Sequence, residues 1–409
     1  PLPDAHGNGP INGVFPRGDS GCRASDDGLG NPVPPRDALI GTERGLKSTA
    51  SAAGPVEFDR FDLLARVVEG HSRARFDLSS SDMPAQRLSD SGGLPDRSLA
   101  ESHVSGCDEL RSELAKLYGG RAEDYIVTAG ASEANFAVCA ALLRPGDPVL
   151  VERPVYQPLE SIPRALSGNV SILTRREANG FRLSLDELQE TAPQGLRLLV
   201  VSNLNNPTGA ALEPADVQGL SDFAAARDAY VLVDETFRDL AFDHETPTIG
   251  GRDEGTVATS TMSKFYGAGG LRIGWIRAAA SLRERARRVL DYLSVTPAAP
   301  SEAIALGLLK TRSATVARNR RLIEEGRRVA AEWSEGTDLE WREPVGHLAF
   351  PRLGGDTARL AEILLRDYET FIAPGECFGL GGHFRLNIGI PADVLSEGLA
   401  RVTKARRDL

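Results

Sequence analysis

Cysteine is scarce, positive charge is not in excess, and long apolar runs are missing. The 409 residues include four cysteines, Cys22, Cys107, Cys139 and Cys377, with neither CxxC nor HxH spacing. That scatter argues against a zinc site or a disulfide framework, and a reducing, cytoplasmic setting is the expectation. Lys and Arg number 47 against 57 Asp and Glu, a net charge of −10 with a pI near 5.3. A chain of that sign lacks the cationic footprint a phosphate backbone demands, so nucleic acid is not an expected partner. A small anionic cofactor needs only one cationic pocket and stays open. The longest apolar stretches, such as 136–143, fall far short of the ~20 residues that span a bilayer, so no membrane partner is expected.

What is present is ordinary globular material, 41% hydrophobic and 25% charged. The length suggests two or three structural units. Residues 1–55 differ from the rest, with ten of the 42 Gly, eight of the 25 Pro and Phe15 as their one aromatic. Such a segment cannot bury enough apolar surface to offset its ordering entropy, and it reads as a disordered tail. It has no continuous apolar run of the signal-peptide kind. An extension without a role is preferred over a regulatory or targeting tail.

From Phe58 the pattern becomes globular. Phe61-Asp-Leu-Leu-Ala-Arg-Val-Val has helical spacing, and Phe76-Asp-Leu-Ser-Ser-Ser reads as a short strand entering a polar loop. Residues 109–118 form an amphipathic helix stopped by Gly119-Gly120. The centre then alternates. Strands are expected over 124–128, 148–152, 196–202, 230–234 and 256–259, and helices over 132–143 and 216–227. These strands are mostly continuous apolar runs, the pattern of a mostly parallel sheet covered on both faces. The class is α/β. Helices dominate from Ser281, over 281–293 and 315–333, before a mixed segment from Leu348 to Ile390 and a last helix.

In open α/β sheets, ligands sit at the carboxyl ends of the strands. After 124–128 comes Gly130-Ala131-Ser132-Glu133. Small residues there admit backbone N–H groups to a phosphate, and the helix dipole favours its charge, although the same composition opens ordinary helices. After 196–202 comes Asn203-Leu-Asn-Asn206-Pro-Thr-Gly209, which is also simply a good turn. The strand at 230–233 ends in Asp234-Glu235, and a carboxylate there is expensive to bury unless paired. Thr261-Met-Ser263-Lys264, followed by Gly267-Ala-Gly-Gly270 and Arg272, places one amine and one guanidinium among hydroxyls and glycines. A lone lysine is usually solvated surface; its position after a strand, within a small-residue loop, weakens that alternative. The glycine run misses GxGxxG spacing and lacks the acid expected downstream, which removes a nucleotide-dependent oxidoreductase.

Asn206-Pro-Thr-Gly, Asp234-Glu-Thr-Phe237, Ser263-Lys264 with Arg272, and Pro374-Gly-Glu-Cys-Phe-Gly before Phe384-Arg385-Leu occur in that order. Together they resemble the class I/II aminotransferases, fold-type I enzymes dependent on pyridoxal 5′-phosphate (PLP). The resemblance runs from about Phe58 to the C-terminus. It implies a three-layer sandwich around a mostly parallel central sheet, with a smaller α+β domain. The small domain is expected from 56–110 and 300–409, and the large, PLP-binding domain from 111–299. It implies amino acid and 2-oxo acid substrates and a homodimer with sites between subunits.

The resemblance also implies roles. Lys264 would carry PLP as a Schiff base and, once released, act as base at the substrate Cα. Asp234 would keep the pyridine nitrogen protonated, so that the ring accepts electrons. Arg272, Thr261 and Ser263 would hold the phosphate with the backbone of Gly130, Ala131 and Ser132. Tyr156 would stack on the ring. Asn206 would donate to its phenolic oxygen and border the substrate, and Arg385 would clamp the substrate's α-carboxylate.

Two positions depart from the family pattern. Phe237 borders the cofactor where the family usually has Tyr, and losing that phenol should alter the proton-transfer schedule unless a neighbour compensates. Glu101 stands where a Tyr commonly reaches the partner's phosphate. Either its role has changed, for instance to reading a cationic substrate across the dimer, or the local alignment has slipped. These departures, with Phe76–Ser81 and Asp291-Tyr-Leu-Ser294, look like the subgroup around capreomycidine synthase, a PLP-dependent cyclase. The first reading is therefore an aminotransferase. The second is a lyase or cyclase acting on a hydroxylated basic amino acid. A non-catalytic PLP-binding regulator would carry a basic DNA-binding module in front, which the tail is not. No cation can be assigned to a distal carboxylate, so a strict dicarboxylate substrate is not expected. His383 is expected to pack or be solvated, and Glu133 to serve the helix start.

Overall fold

Aliphatic strands with no polar face need a covering layer on each side, and the central strands of this chain have both. The structure, a computed structural model, describes residues 56–408 apart from 71, 94, 95, 97, 99, 338 and 340. The tail expected over 1–55 lies outside the described residues.

The first elements are α1 (Asp62–Gly70), β1 (Phe76–Asp77) and α2 (Asp108–Tyr118). Then come β2 (Tyr125–Thr128), α3 (Ala131–Leu142), β3 (Val149–Arg153), α4 (Pro158–Ser167) and β4 (Val170–Thr174). They are followed by α5 (Leu185–Thr191), β5 (Leu198–Ser202), α6 (Pro214–Arg227), β6 (Tyr230–Asp234), β7 (Thr256–Thr261) and β8 (Gly274–Ala278). Three helices come next, α7 (Ala280–Leu290), α8 (Ala299–Lys310) and α9 (Arg312–Glu335). The chain closes with β9 (Leu348–Ala349), α10 (Thr357–Asp367), β10 (Thr370–Phe371), β11 (Ala373–Pro374), β12 (Phe384–Asn387) and α11 (Ala392–Ala405).

Seven strands form one sheet in the order β2-β8-β7-β6-β5-β3-β4. Only β8 runs against its neighbours, so β2 is parallel to the rest and the carboxyl ends of six strands share one edge. On one face, Ala134, Ala137 and Val138 of α3, Leu159 of α4 and Leu282 of α7 pack on Val149, Val151, Val200 and Leu232. On the other, Leu188 of α5 and Leu220 and Phe223 of α6 cover Leu150, Leu199, Val201 and Val233. Each such fully buried side chain contributes roughly 1.5–3 kcal/mol. This is the fold-type I sandwich that the strand pattern and the resemblance implied. A three-stranded antiparallel sheet, β11-β12-β9, and the parallel pair β1-β10 stand apart from it.

Several elements had no signal in the sequence. In α4, Pro158 occupies the first turn, where its missing N–H costs nothing, but Pro163 lies inside the helix and breaks the pattern. The helix α8 is apolar nearly all round, with seven buried residues, so it shows no amphipathic stripe. The strand β8 opens on Gly274, where a Cβ would lie 2.5 Å from the Gly130 carbonyl carbon.

A buried ion pair ties the sheet to the loop after β5. Arg175 donates through Nε to Oε2 of Glu152 (2.6 Å), and both side chains are essentially inaccessible. The other oxygen of Glu152 accepts from Ser202 N (2.7 Å), Ser202 Oγ (2.5 Å) and Asn205 Nδ2 (2.8 Å). Removing one partner strands the other's charge in the interior. We expect Glu152→Ala to cost about 3–5 kcal/mol in chemical denaturation, far more than truncating an exposed pair such as Glu284–Arg288.

Candidate active site

Parallel strands with a common edge deliver their following loops to one place. Here β2 leads into Gly130, β5 into Asn203–Asn206, and β6 ends on Asp234, while β7 leads through Thr261 to Lys264. They surround a cavity of about 220 Å³. Ala131, Ser132, Tyr156, Asn206, Asp234, Phe237, Thr261, Ser263, Lys264 and Arg272 line it, joined by Ser81 and Asn135. Gly130 and Arg385 are set one layer back, behind Arg272 and Asn206 respectively. Larger clefts lie elsewhere, among them one of about 620 Å³ between α1 and α10 and one of about 510 Å³ beside the 208–211 turn; neither of the two contains these groups.

Asp234 is 6% exposed. Asn135 Nδ2 donates to one of its oxygens (2.8 Å) and Thr236 N to the other (3.0 Å). Thr259 Oγ1 in turn donates to Asn135 Oδ1 (2.6 Å), which fixes the direction of the amide. Burial raises the carboxyl of Asp234 above its usual range, against the pull of these bonds and of the Lys264 charge. Such a carboxylate gains most when a cation is placed against it. Its neighbour Glu235 turns away, accepting from Ile249 N (2.8 Å) and pairing with Arg238 (3.1 Å). That acid is structural.

At the start of α3, Gly130 has φ +89°, and a Cβ on it would lie 2.5 Å from Arg272 Nη2. Only glycine meets both demands. Arg272 donates to the carbonyls of Ala129 and Gly269, both at 3.1 Å, which holds its guanidinium at the amino end of α3. Cationic charge, unpaired helix N–H groups and the helix dipole together favour an anion there. Thr261 donates its hydroxyl proton to Ile273 O (2.9 Å) and lies 3.0 Å from Ser263 Oγ. A hydroxyl has one proton to give, so Ser263 is the better donor to a bound anion. Glu133 accepts from Ala129 N (2.5 Å) and serves the helix start.

Arg385 reaches from β12 to Asn206 Oδ1 (3.0 Å) and Ser79 O (2.6 Å). Its Nε is buried without a partner among the described residues, and burial pulls the guanidinium down to about 10. Because Asn206 spends its oxygen on Arg385, its amide protons remain to donate. Tyr156 packs edge-on against Phe61, with centroids 5.4 Å apart, and burial pushes its phenol up to about 12. Lys264 Nζ lies 3.1 Å from Ser81 Oγ and 2.5 Å from Asp82 Oδ1. Phe237 is buried against the ring of His347, 5.3 Å between centroids.

The family model for aminotransferase class I and II matches residues 99–402. The chain belongs to this family. It is 29% identical over 369 residues to capreomycidine synthase of Streptomyces vinaceus, covering 86% of this chain and 95% of that one. A PLP-dependent aminotransferase from Streptococcus suis superposes with a TM-score of 0.81 at 25% identity, over 86% of this chain and 98% of the other. The PLP-dependent cyclase OrfR gives 0.79 at 25% identity, over 88% and 100%. This member's cofactor is pyridoxal 5′-phosphate, and the cavity fits it. A desolvated carboxylate suits a protonated ring nitrogen, the Gly130–Arg272 cradle suits a phosphate, and one lysine lines the same cavity. Among the described residues no cluster of His, Cys, Asp or Glu is arranged to hold a metal, and no helix is long and apolar enough to cross a membrane.

Sequence reasoning missed Asn135, Ser81, Asp82 and His347. A polar residue one turn into the apolar helix α3 was the available signal for Asn135. His383 packs, as expected, stacked on Phe350 at 4.9 Å. Glu101 lies 3.5 Å from His103.

His347 is fully buried, its Nε2 lies 2.9 Å from Ser81 O, and burial lowers it from 6.5 to about 4. The unfolded chain therefore binds this proton first as pH falls. The folded protein keeps its full stability above about 6.5 and loses on the order of 3 kcal/mol by pH 4. We expect urea denaturation between pH 7 and 4 to show that slope, and His347→Gln to flatten it.

Proposed function

We propose that this protein is an aminotransferase that moves an amino group between an amino acid and a 2-oxo acid, with Lys264 as the residue joined to PLP. One observation carries the reading: Lys264, the Asp234–Asn135 pair and the Arg385–Asn206 pair converge on a single cavity. PLP, when bound, supplies an electron sink for the pair left at the substrate Cα.

The protein's own groups then divide the work. Asp234, desolvated and fixed by two donors, holds a proton at the ring nitrogen. Arg272 and Ser263, with the first N–H groups of α3, bind the phosphate. Arg385 offers its unpartnered Nε to the substrate carboxylate, and a buried guanidinium binds it more strongly than an exposed one. Lys264 Nζ takes the Cα proton and returns it. Tyr156, backed by Phe61, walls the cavity and limits water there. The division into a small domain of 56–110 with 300–409 and a large one of 111–299 gives Arg385 a route onto the substrate as the small domain closes. A cytoplasmic homodimer fits the composition and the family.

Phe237, and the likeness to capreomycidine synthase and OrfR, favour a second reading: elimination and ring closure on a hydroxylated basic amino acid. The two separate cleanly. Transamination consumes a 2-oxo acid and yields a new amino acid; cyclisation turns over the amino acid alone. A chromatographic panel of amino acids with and without pyruvate distinguishes them, and turnover of neither kind sinks both.

Two variants test the assignments. Lys264→Ala abolishes turnover and the mass added to the 264 peptide by borohydride after incubation with PLP. Arg385→Lys raises the KM for the amino acid by roughly 10- to 100-fold, the worth of a charge-assisted bond, with a smaller effect on PLP affinity.

A further inference from the structure

The loop 79–83 is clamped by buried groups behind the cavity wall. Arg385 donates to Ser79 O (2.6 Å), His347 Nε2 meets Ser81 O (2.9 Å) and Asn387 Nδ2 donates to Asp82 O (3.1 Å). Met83 N donates to the carbonyl of Lys264 itself (3.2 Å). Arg385, His347 and Asn387 are all buried. The loop therefore presents the side chains of Ser81 and Asp82 in a fixed direction, and both meet Lys264 Nζ.

We propose that Asp82 is the counter-ion of Lys264, a carboxylate that holds the positive charge of the lysine nitrogen inside the cavity. The inference rests on the reading that Lys264 carries PLP. Charged and titratable groups surround this nitrogen, some on the cavity wall and some one layer back. Arg272, Tyr156 and Asp234 line the cavity, whereas Arg385 on β12 lies behind Asn206 and His347 lies behind the Ser81 carbonyl. The two guanidiniums work against a further cation. Asp234 is committed to Asn135 and Thr236. Asp82 is the carboxylate in contact with Nζ, and its side chain is 47% exposed against 26% for the lysine. Pairs this exposed are usually worth little, because two flexible side chains must be ordered. Here the acid is short and its backbone already fixed, so that cost has been met by the loop. On the opposite wall, Phe237 has no hydroxyl to offer.

The test is a pH titration of the PLP-loaded enzyme, following the pH at which its visible absorption band changes. It needs no substrate. Removing a contacting anion lowers that midpoint, and a half-exposed one by about one pH unit. Asp82→Asn should show this shift, Asp82→Glu should recover most of it, and the neutral change Ser81→Ala should move the midpoint less. A normal band with an unmoved midpoint in Asp82→Asn overturns the proposal. If Asp82→Asn fails to take up PLP, Asp82→Ser and Asp82→Glu decide. Uptake lost in Ser but kept in Glu supports the charge, whereas uptake lost in all three makes the residue structural and overturns it. A wild-type protein with no visible band, or without borohydride labelling at 264, sinks the functional reading instead.

Discussion

The site is organised around a carboxylate held at the end of a largely buried strand. Asp234 lies between Ser202 of β5 and Thr259 of β7 in register and is only 6% exposed, so its charge must be served mainly by the protein. The service comes from α3, whose Ala134, Ala137 and Ala141 keep the helix close enough to the sheet for Asn135 to reach down. Thr259, one residue across on β7, turns that amide the right way. Sheet order, the small residues of α3 and the polarity of three side chains thus answer one electrostatic demand. The same α3 then opens on Gly130, so one helix positions both the partner of Asp234 and the anion site at Arg272.

The charges around the cavity sort into separate duties. Arg272 belongs to the helix start, and Arg385 belongs to the Asn206 turn and the loop after β1. Neither guanidinium is free to serve the other's ligand, because each is already bonded to carbonyls or an amide nearby. A bound molecule with anionic groups at two places is matched by this arrangement. One with a further distal carboxylate finds no additional cation on the cavity wall among the described residues. The loss would be a desolvated, unpaired charge, the most expensive kind of mismatch.

Much of this was legible in the sequence because it is local. Continuous apolar runs revealed β3, β5 and β6, and the residues that follow them are the ones the fold gathers around the cavity. Asn206, Asp234, Thr261, Lys264 and Arg272 each lie within a few residues of a strand end. What was not legible depends on packing between distant segments. The meeting of Ser81 and Asp82 with Lys264 spans more than 180 positions, and no spacing rule connects them. Nothing in the sequence around His347 singles it out, and only the fold brings it beneath the 79–83 loop. Conversely, Glu235 adjoined a functional acid in sequence but faces the opposite side, since adjacent strand residues alternate.

Cofactor residues alone do not choose between amino transfer and ring closure, because both reactions begin by drawing the same proton from Cα. The choice must lie in what the other walls of the cavity can donate or accept. On the Phe237 side they can do little. The ring has no hydroxyl, and burial keeps His347 neutral down to about pH 4, with its Nε2 engaged at the Ser81 carbonyl. A wall without an acid cannot help a departing hydroxyl or steady a negative oxygen. On another wall the amine of Lys264 meets the hydroxyl of Ser81 and the carboxylate of Asp82, a cluster through which a proton could reach a leaving group.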